Sequence, residues 1–256
     1  MWHRLMALGQ ITPPAIWGKL PAHADFVRSG VRHGEADGWA RWLAGIPVPP
    51  HDPGMPLDAH CAVPVSFVLP PGALAFAPRR FVLGVIAPSV DRVGRRHPLL
   101  VYQLARRSWV MHHLAPSQSR DWLFWLARAV ARHAQRSAQA DMRSLHDCVQ
   151  GLWQLHEEAY ATRQPQSQNV QSDPHATPPL DAALGRDAER LLAARIASNG
   201  PEDITACLHG VRYLPWSDWP QRLWAVPSAG AFWQQDARGG YLNAASRLQQ
   251  LWSTVS

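Results

Sequence analysis

FVLGVIAPSVDRVGRRHPLLVYQL, residues Phe81 to Leu104, decides the fold. Phe81 to Ala87 (FVLGVIA) is a nearly continuous apolar run, the pattern of a central strand buried on both faces. Leu99 to Leu104 reads as a second strand. The connection between them, Pro88 to Pro98, is too short for a crossover helix, which needs about a dozen residues or more. The two strands are therefore expected to be antiparallel.

Working outward, Val63 to Leu69 reads as a third strand bounded by prolines, and Ala15 to Gly18 as a short one just before Lys19-Leu20-Pro21. Glu35 to Leu43 places Trp39, Trp42 and Leu43 at helical spacing and stops near Gly45 and Pro47. Ser119 to Gln139 carries Trp122, Trp125, Leu126, Ala129 and Val130 as one apolar stripe, the core face of a longer helix. Asp141 to Tyr160 continues as a further helix, with Leu145, Cys148, Leu152 and Leu155 on one side.

Thr162 to Pro179 breaks the pattern, being rich in Gln, Ser and Pro with almost nothing to bury. The chain thus divides into an α/β core over 1–160, a flexible linker or disordered insertion over 161–179, and a C-terminal part over 180–256. That part reads as a helix at Leu180 to Ser198, short strands at Val211 to Leu214 and Leu223 to Val226, and a helix at Ala244 to Trp252. It is too small past Gly210 to form its own core and is expected to pack on the first unit. Helices and strands alternate loosely. The expectation is an α/β fold with a mixed, partly antiparallel sheet covered by helices on both faces.

Composition limits the function. The formal net charge is +6, but the segment from Arg79 to Arg107 holds seven arginines against the single acid Asp91, which already accounts for that charge. The remainder is close to neutral, which argues against a general nucleic-acid-binding coat. A local arginine cluster suits carboxylates or phosphates, because guanidinium binds both as a fork. Cys61, Cys148 and Cys207 stand far apart, so neither a disulfide framework nor a zinc site is expected. No segment approaches the roughly 18 consecutive apolar residues of a membrane span. A soluble, cytoplasmic protein without a cofactor is expected.

Two stretches stand out: Trp17-Gly18-Lys19-Leu20-Pro21-Ala22-His23-Ala24-Asp25-Phe26-Val27 and Pro88-Ser89-Val90-Asp91-Arg92-Val93-Gly94-Arg95-Arg96-His97-Pro98-Leu99. They resemble the signature segments of the TagF family, which have the forms GKLPxxGDF and PSVDRVGRxxPL. Trp39, Trp42 and Leu43 match the Trp-rich helix that follows the first motif in that family, and Tyr213, Trp216, Trp219 and Trp224 resemble its C-terminal portion. The first motif departs at Ala24, where the family has glycine; a glycine with φ > 0 there would make alanine strained. The resemblance implies a three-layer α/β/α sandwich. It also implies a non-catalytic repressor acting after translation on type VI secretion. The implied partner is a cytoplasmic scaffold component, foremost a forkhead-associated-domain protein, with no nucleic acid and no membrane insertion.

The residues have their own physical reading. Ser89, Asp91, Arg92, Arg95 and Arg96 lie on a loop that leaves a buried strand, where a rigid sheet can present binding groups. Arg92, Arg95 and Arg96 can offer donors to an acidic or phosphorylated partner surface. Alternatively, Asp91 pairs with Arg92 or Arg95, and Ser89 caps a turn. Lys19 and Asp25 flank Pro21 and are read as an ion pair that fixes the turn. The competing function is a hydrolase or phosphate-handling enzyme using Ser89, Asp91 and His97. Against it, the chain contains no GxxxxGK[ST], GxSxG or HExxH.

Overall fold

A computed structural model describes residues 9–49, 63–114, 122–134, 141–163, 221–225, 228–235 and 241–252. The strands are β1 (Ala15–Gly18), β2 (Val27–Ser29), β3 (Val65–Leu69), β4 (Phe81–Ala87), β5 (Leu99–Ala105), β6 (Ala231–Gln235) and β7 (Tyr241–Ala245). The helices are α1 (Glu35–Leu43), α2 (Arg107–His113), α3 (Trp122–Ala134), α4 (Met142–Arg163) and α5 (Leu248–Trp252), with a 3-10 turn at Gln221–Leu223.

The strands form one sheet in the order β2-β1-β5-β4-β3-β6-β7, in the α/β class. Phe81 to Ala87 pairs antiparallel with Leu99 to Ala105 over its whole length, with Gly84 opposite Tyr102. The expected mixed sheet is corrected: every pairing among the described strands is antiparallel. For β3, β4 and β5 the reason lies in chain order. No helix separates β3 from β4 or β4 from β5, and α2, α3 and α4 follow one another after β5. Short connections between adjacent strands give hairpins, not crossovers.

Strand alternation sorts the core into two clusters. Phe81, Leu83, Val85 and Ala87 of β4 pack with Leu99 and Val101 of β5 against Trp122, Trp125, Leu126, Val130, Leu145 and Leu152 of α3 and α4. Val82 and Ile86 pack with Leu100, Tyr102 and Phe67 against Trp39 and Leu43 of α1 and Leu248, Leu251 and Trp252 of α5. Successive residues of β4 point to opposite faces, so a strand apolar throughout serves both clusters. Trp39 has no exposed surface and meets Trp42, Phe67 and Tyr102 edge-on at centroid distances of 5.6, 5.8 and 5.2 Å. Truncating such a ring to alanine costs about 3–5 kcal/mol.

The α3 stripe is buried at Trp122, Trp125, Leu126, Ala129 and Val130, as the periodicity demands. The indole of Trp122 donates to Gln103 Oε1 at 2.8 Å, and Gln103 donates to the Thr12 carbonyl at 2.8 Å. A buried polar group inside β5 is thereby satisfied. Two sequence expectations shift. Leu223 ends a 3-10 turn instead of starting a strand. The C-terminal helix is only Leu248–Trp252, because Ala244 and Ala245 belong to β7, opposite Trp233 and Phe232. β2, β6, β7 and α2 have no counterpart among the expected elements. The expected helix at 180–198, the strand at 211–214 and the residues Cys61 and Cys207 lie outside the described residues. Cys148 is buried in the core between α3 and α4 and the sheet.

Candidate functional site

Both signature segments leave the sheet at the same end, since Gly18 closes β1 and Pro88 follows β4. Ser89 to His97 folds as a tight hairpin. The His97 amide donates to the Ser89 carbonyl at 3.0 Å, the Asp91 amide to the Arg95 carbonyl at 3.0 Å, and the Gly94 amide to the Asp91 carbonyl at 3.0 Å. Gly94 takes φ 89°, a left-handed conformation that a turn can ask of glycine at no steric cost. The Asp91 side chain organises this turn. Its Oδ1 accepts from the amides of Val93 at 3.1 Å and Arg95 at 2.8 Å. An aspartate that hydrogen-bonds the backbone ahead of it is a turn residue by mechanism.

The other carboxylate oxygen reaches across to the first segment. Asp91 Oδ2 accepts from Lys19 Nζ at 2.9 Å and from Arg95 Nε at 2.7 Å. The Asp91 side chain is fully buried and that of Lys19 nearly so, whereas Arg95 is 61% exposed. Further bonds stitch the two loops together. Ser89 Oγ donates to the Lys19 carbonyl at 2.8 Å, the Arg92 amide donates to the His23 carbonyl at 2.8 Å, and the Arg95 guanidinium donates to the Ala24 carbonyl. Burial alone would raise the Asp91 carboxyl, but donors from Lys19 and Arg95 more than offset it and hold the group well below the usual carboxylate range.

The expected Lys19–Asp25 ion pair is replaced by Lys19–Asp91. Asp25 is exposed and its Oδ1 accepts from the next amide, that of Phe26, at 2.7 Å. Lys19 is buried at the end of β1, so its ammonium needs a buried acceptor, and Asp91 supplies one. Of the two structural partners considered for Asp91, Arg95 is the one engaged. Ala24 carries no strain, because no described residue other than glycine has positive φ.

Aromatic rings wrap this pair. Phe26 stacks on Trp17 with centroids 5.5 Å apart and meets the His97 ring edge-on at 4.6 Å. Lys19 Nζ lies 5.3 Å from the Phe26 centroid, within cation–π range. Burial lowers the His97 pKa, and the nearby Lys19 charge acts the same way, against a hydrogen bond to the Pro98 carbonyl at 2.7 Å. Sequence reasoning passed over Trp17, Phe26 and His23 as site residues. The signal was there, since two aromatics flank Lys19 within the first motif.

The seven residues singled out from sequence separate into two groups. Lys19, Ser89 and Asp91 are buried and knit the loops together. Asp25, Arg92, Arg95 and Arg96 are exposed. With them stand Val93, 65% exposed, and Phe26, 37% exposed. The side chains of Ser89, Asp91 and His97 engage other groups and do not hydrogen-bond one another, so they lack the relay of a nucleophilic triad. What the arrangement offers chemically is a rigid base under a small apolar and basic tip.

The family model of the TagF N-terminal domain, type VI secretion system-associated, matches residues 15–152, more than half of the chain. Both loops fall inside that match. A solved structure of PA0076 from Pseudomonas aeruginosa PAO1 is similar to the chain at 17% identity, covering 86% of this chain and 81% of that one with a TM-score of 0.40. No curated protein matches.

Proposed function

This chain belongs to the TagF N-terminal domain family, which is associated with type VI secretion, and from that membership we propose a non-catalytic repressor that acts by binding a cytoplasmic scaffold component of the system. A forkhead-associated-domain protein is the partner this reading favours. The reading places the chain in the cytoplasm and its sheet and helices in a three-layer α/β/α sandwich. Among the described residues no helix is long and apolar enough to cross a membrane.

One observation supports the reading above others. The Lys19–Asp91–Arg95 network holds Arg92, Val93 and Arg95 outward at the tip of a hairpin fixed by buried bonds. An exposed apolar side chain between arginines suits a protein surface with an apolar socket and acidic rim. The side chains a hydrolase would use at this loop are instead spent on structure.

The test is affinity purification of the tagged protein from its own cells, comparing wild type with Arg92→Glu/Val93→Asp. Recovery of type VI scaffold components with wild type but not with the folded variant is expected. Equal recovery with both would remove this loop as the interface. Recovery of no secretion component with either would sink the proposed mode of action.

A further inference from the structure

An open cleft of about 400 Å³ adjoins the first signature loop. His23, Arg28 and Ser29 line one side, and Asp141, Arg143 and His146 of the α4 start line the other. Two hydrogen bonds tie the sides together. The Met142 amide donates to His23 Nε2 at 3.0 Å, and Ser29 Oγ lies 2.9 Å from His146 Nδ1. The walls are therefore fixed relative to each other before anything binds.

The charges lining the cleft are unbalanced. Arg28 and Arg143 are exposed at its rim, and among the described residues no carboxylate forms an ion pair with either. Asp141 is the acid of the lining, and its Oδ1 accepts from the Ser144 amide at 2.7 Å, within its own helix start. The lining thus holds two arginines and one carboxylate that is already engaged.

We propose that this cleft binds a phosphoryl oxyanion between Arg28 and Arg143, with the Ser29–His146 pair supplying a further donor. Guanidinium forks match the oxygens of a phosphoryl group in pairs. A phosphoryl group carries about −1.5 to −2 charge at pH 7, enough to engage two arginines, whereas a single carboxylate leaves one of them unmatched. When Ser29 donates to His146 Nδ1, the ring proton sits on Nε2 and is a second donor; when the ring donates from Nδ1, the serine hydroxyl hydrogen is free to turn to the anion. The 22-residue helix α4 begins at this cleft, and its positive dipole end adds to the attraction.

Calorimetric titration of the full chain with phenyl phosphate, inorganic phosphate and a phosphoserine peptide tests it. Wild type is expected to bind phosphoryl groups with an affinity that falls as salt rises. Arg28→Ser/Arg143→Ser should weaken binding by about tenfold or more, as loss of charge-assisted hydrogen bonds does. Arg28→Lys/Arg143→Lys keeps the charge and should lose less. Arg79→Ser, an exposed arginine outside the lining, should bind like wild type. Tighter binding of the peptide than of inorganic phosphate assigns the group to a protein side chain, and the reverse order assigns it to a free anion. Unchanged melting of the variants without ligand guards against misfolding. Absence of binding by wild type, or equal affinity in wild type and the folded serine variant, overturns the proposal.

Discussion

Lys19 Nζ donates to Asp91 Oδ2 at 2.9 Å, joining residues 72 positions apart at the base of both signature loops. The pair has two consequences. It fixes the hairpin that presents Arg92 and Val93, and it commits two charges to the interior. Breaking a buried pair from one side leaves the other charge uncompensated, at a cost of about 3–5 kcal/mol. Asp91→Ala should therefore destabilise the protein by that order in urea unfolding. Lys19→Met/Asp91→Asn should recover part of the loss, since no charge is then stranded. Arg95→Ala should cost much less, because that side chain is 61% exposed. A loss below about 1 kcal/mol in Asp91→Ala would reduce the pair to the weight of a surface bridge.

The same carboxyl sets an acid limb. Its folded pKa lies below the unfolded value of 3.8. The stabilisation is therefore fully present above 3.8 and is lost as pH falls from there through the folded value. His97 and His133 act at higher pH. Burial lowers both imidazoles below 6.5, so their contribution is present above 6.5 and declines as pH falls beneath it. Stability measured from pH 8 downward should fall in two stages. Asp91→Asn should flatten the lower stage alone. An unchanged lower stage in that variant would show that other carboxyls produce it.

Gly84 and Gly94 should separate packing from backbone strain, while Gly18, with φ 137°, combines both. A Cβ on Gly84 would stand 2.1 Å from the Val101 carbonyl oxygen, and on Gly18 2.1 Å from that of Pro98. Both contacts are with backbone, which has little room to yield inside paired strands. Gly94 is different: nothing lies within 4 Å of its added Cβ, and only its φ of 89° opposes a side chain. Gly94→Ala should cost about 1–2 kcal/mol. Gly84→Ala and Gly18→Ala should cost more, measured by thermal melting. A Gly84→Ala variant as stable as Gly94→Ala would contradict this order.

What the sequence reveals follows from the range of each interaction. β1 and α1 are readable to the residue, and β4 likewise, because apolar periodicity is local. β6 is hidden: Ala231–Gln235 has only three apolar residues, and Gln234 is buried, with its amide donating to the Val63 carbonyl at 3.0 Å. β7 (YLNAA) gains strand structure by pairing with β6, not from its own propensity. In the site, the loop around Asp91 is visible as an unusual motif. The Lys19 partner is not, since choosing Asp91 over nearby Asp25 requires knowing that Gly18 and Pro88 meet at one end of the sheet. The division into buried braces and exposed arginines likewise depends on tertiary burial.

Tyr102 offers a last test, on the face of the sheet that α1 covers. Its hydroxyl donates to Glu35 Oε2 at 2.8 Å, and the Arg32 amide donates to the same oxygen at 3.0 Å. Glu35 is buried at the start of α1, so its side-chain oxygens need these donors. Tyr102→Phe should cost about 1.5–3 kcal/mol, the range for a hydrogen bond to a charged group. Burial raises the phenol above its ordinary pKa of 10.0, and the Glu35 charge and hydrogen bond add to the rise. The neutral phenol therefore contributes full stability below 10.0, and that contribution is lost as pH rises through the folded value. Wild type should weaken on the alkaline side through Tyr102, and Tyr102→Phe should lack that part of the decline. An alkaline limb of equal slope in both proteins would mean that the bond to Glu35 is not what ties α1 to the sheet.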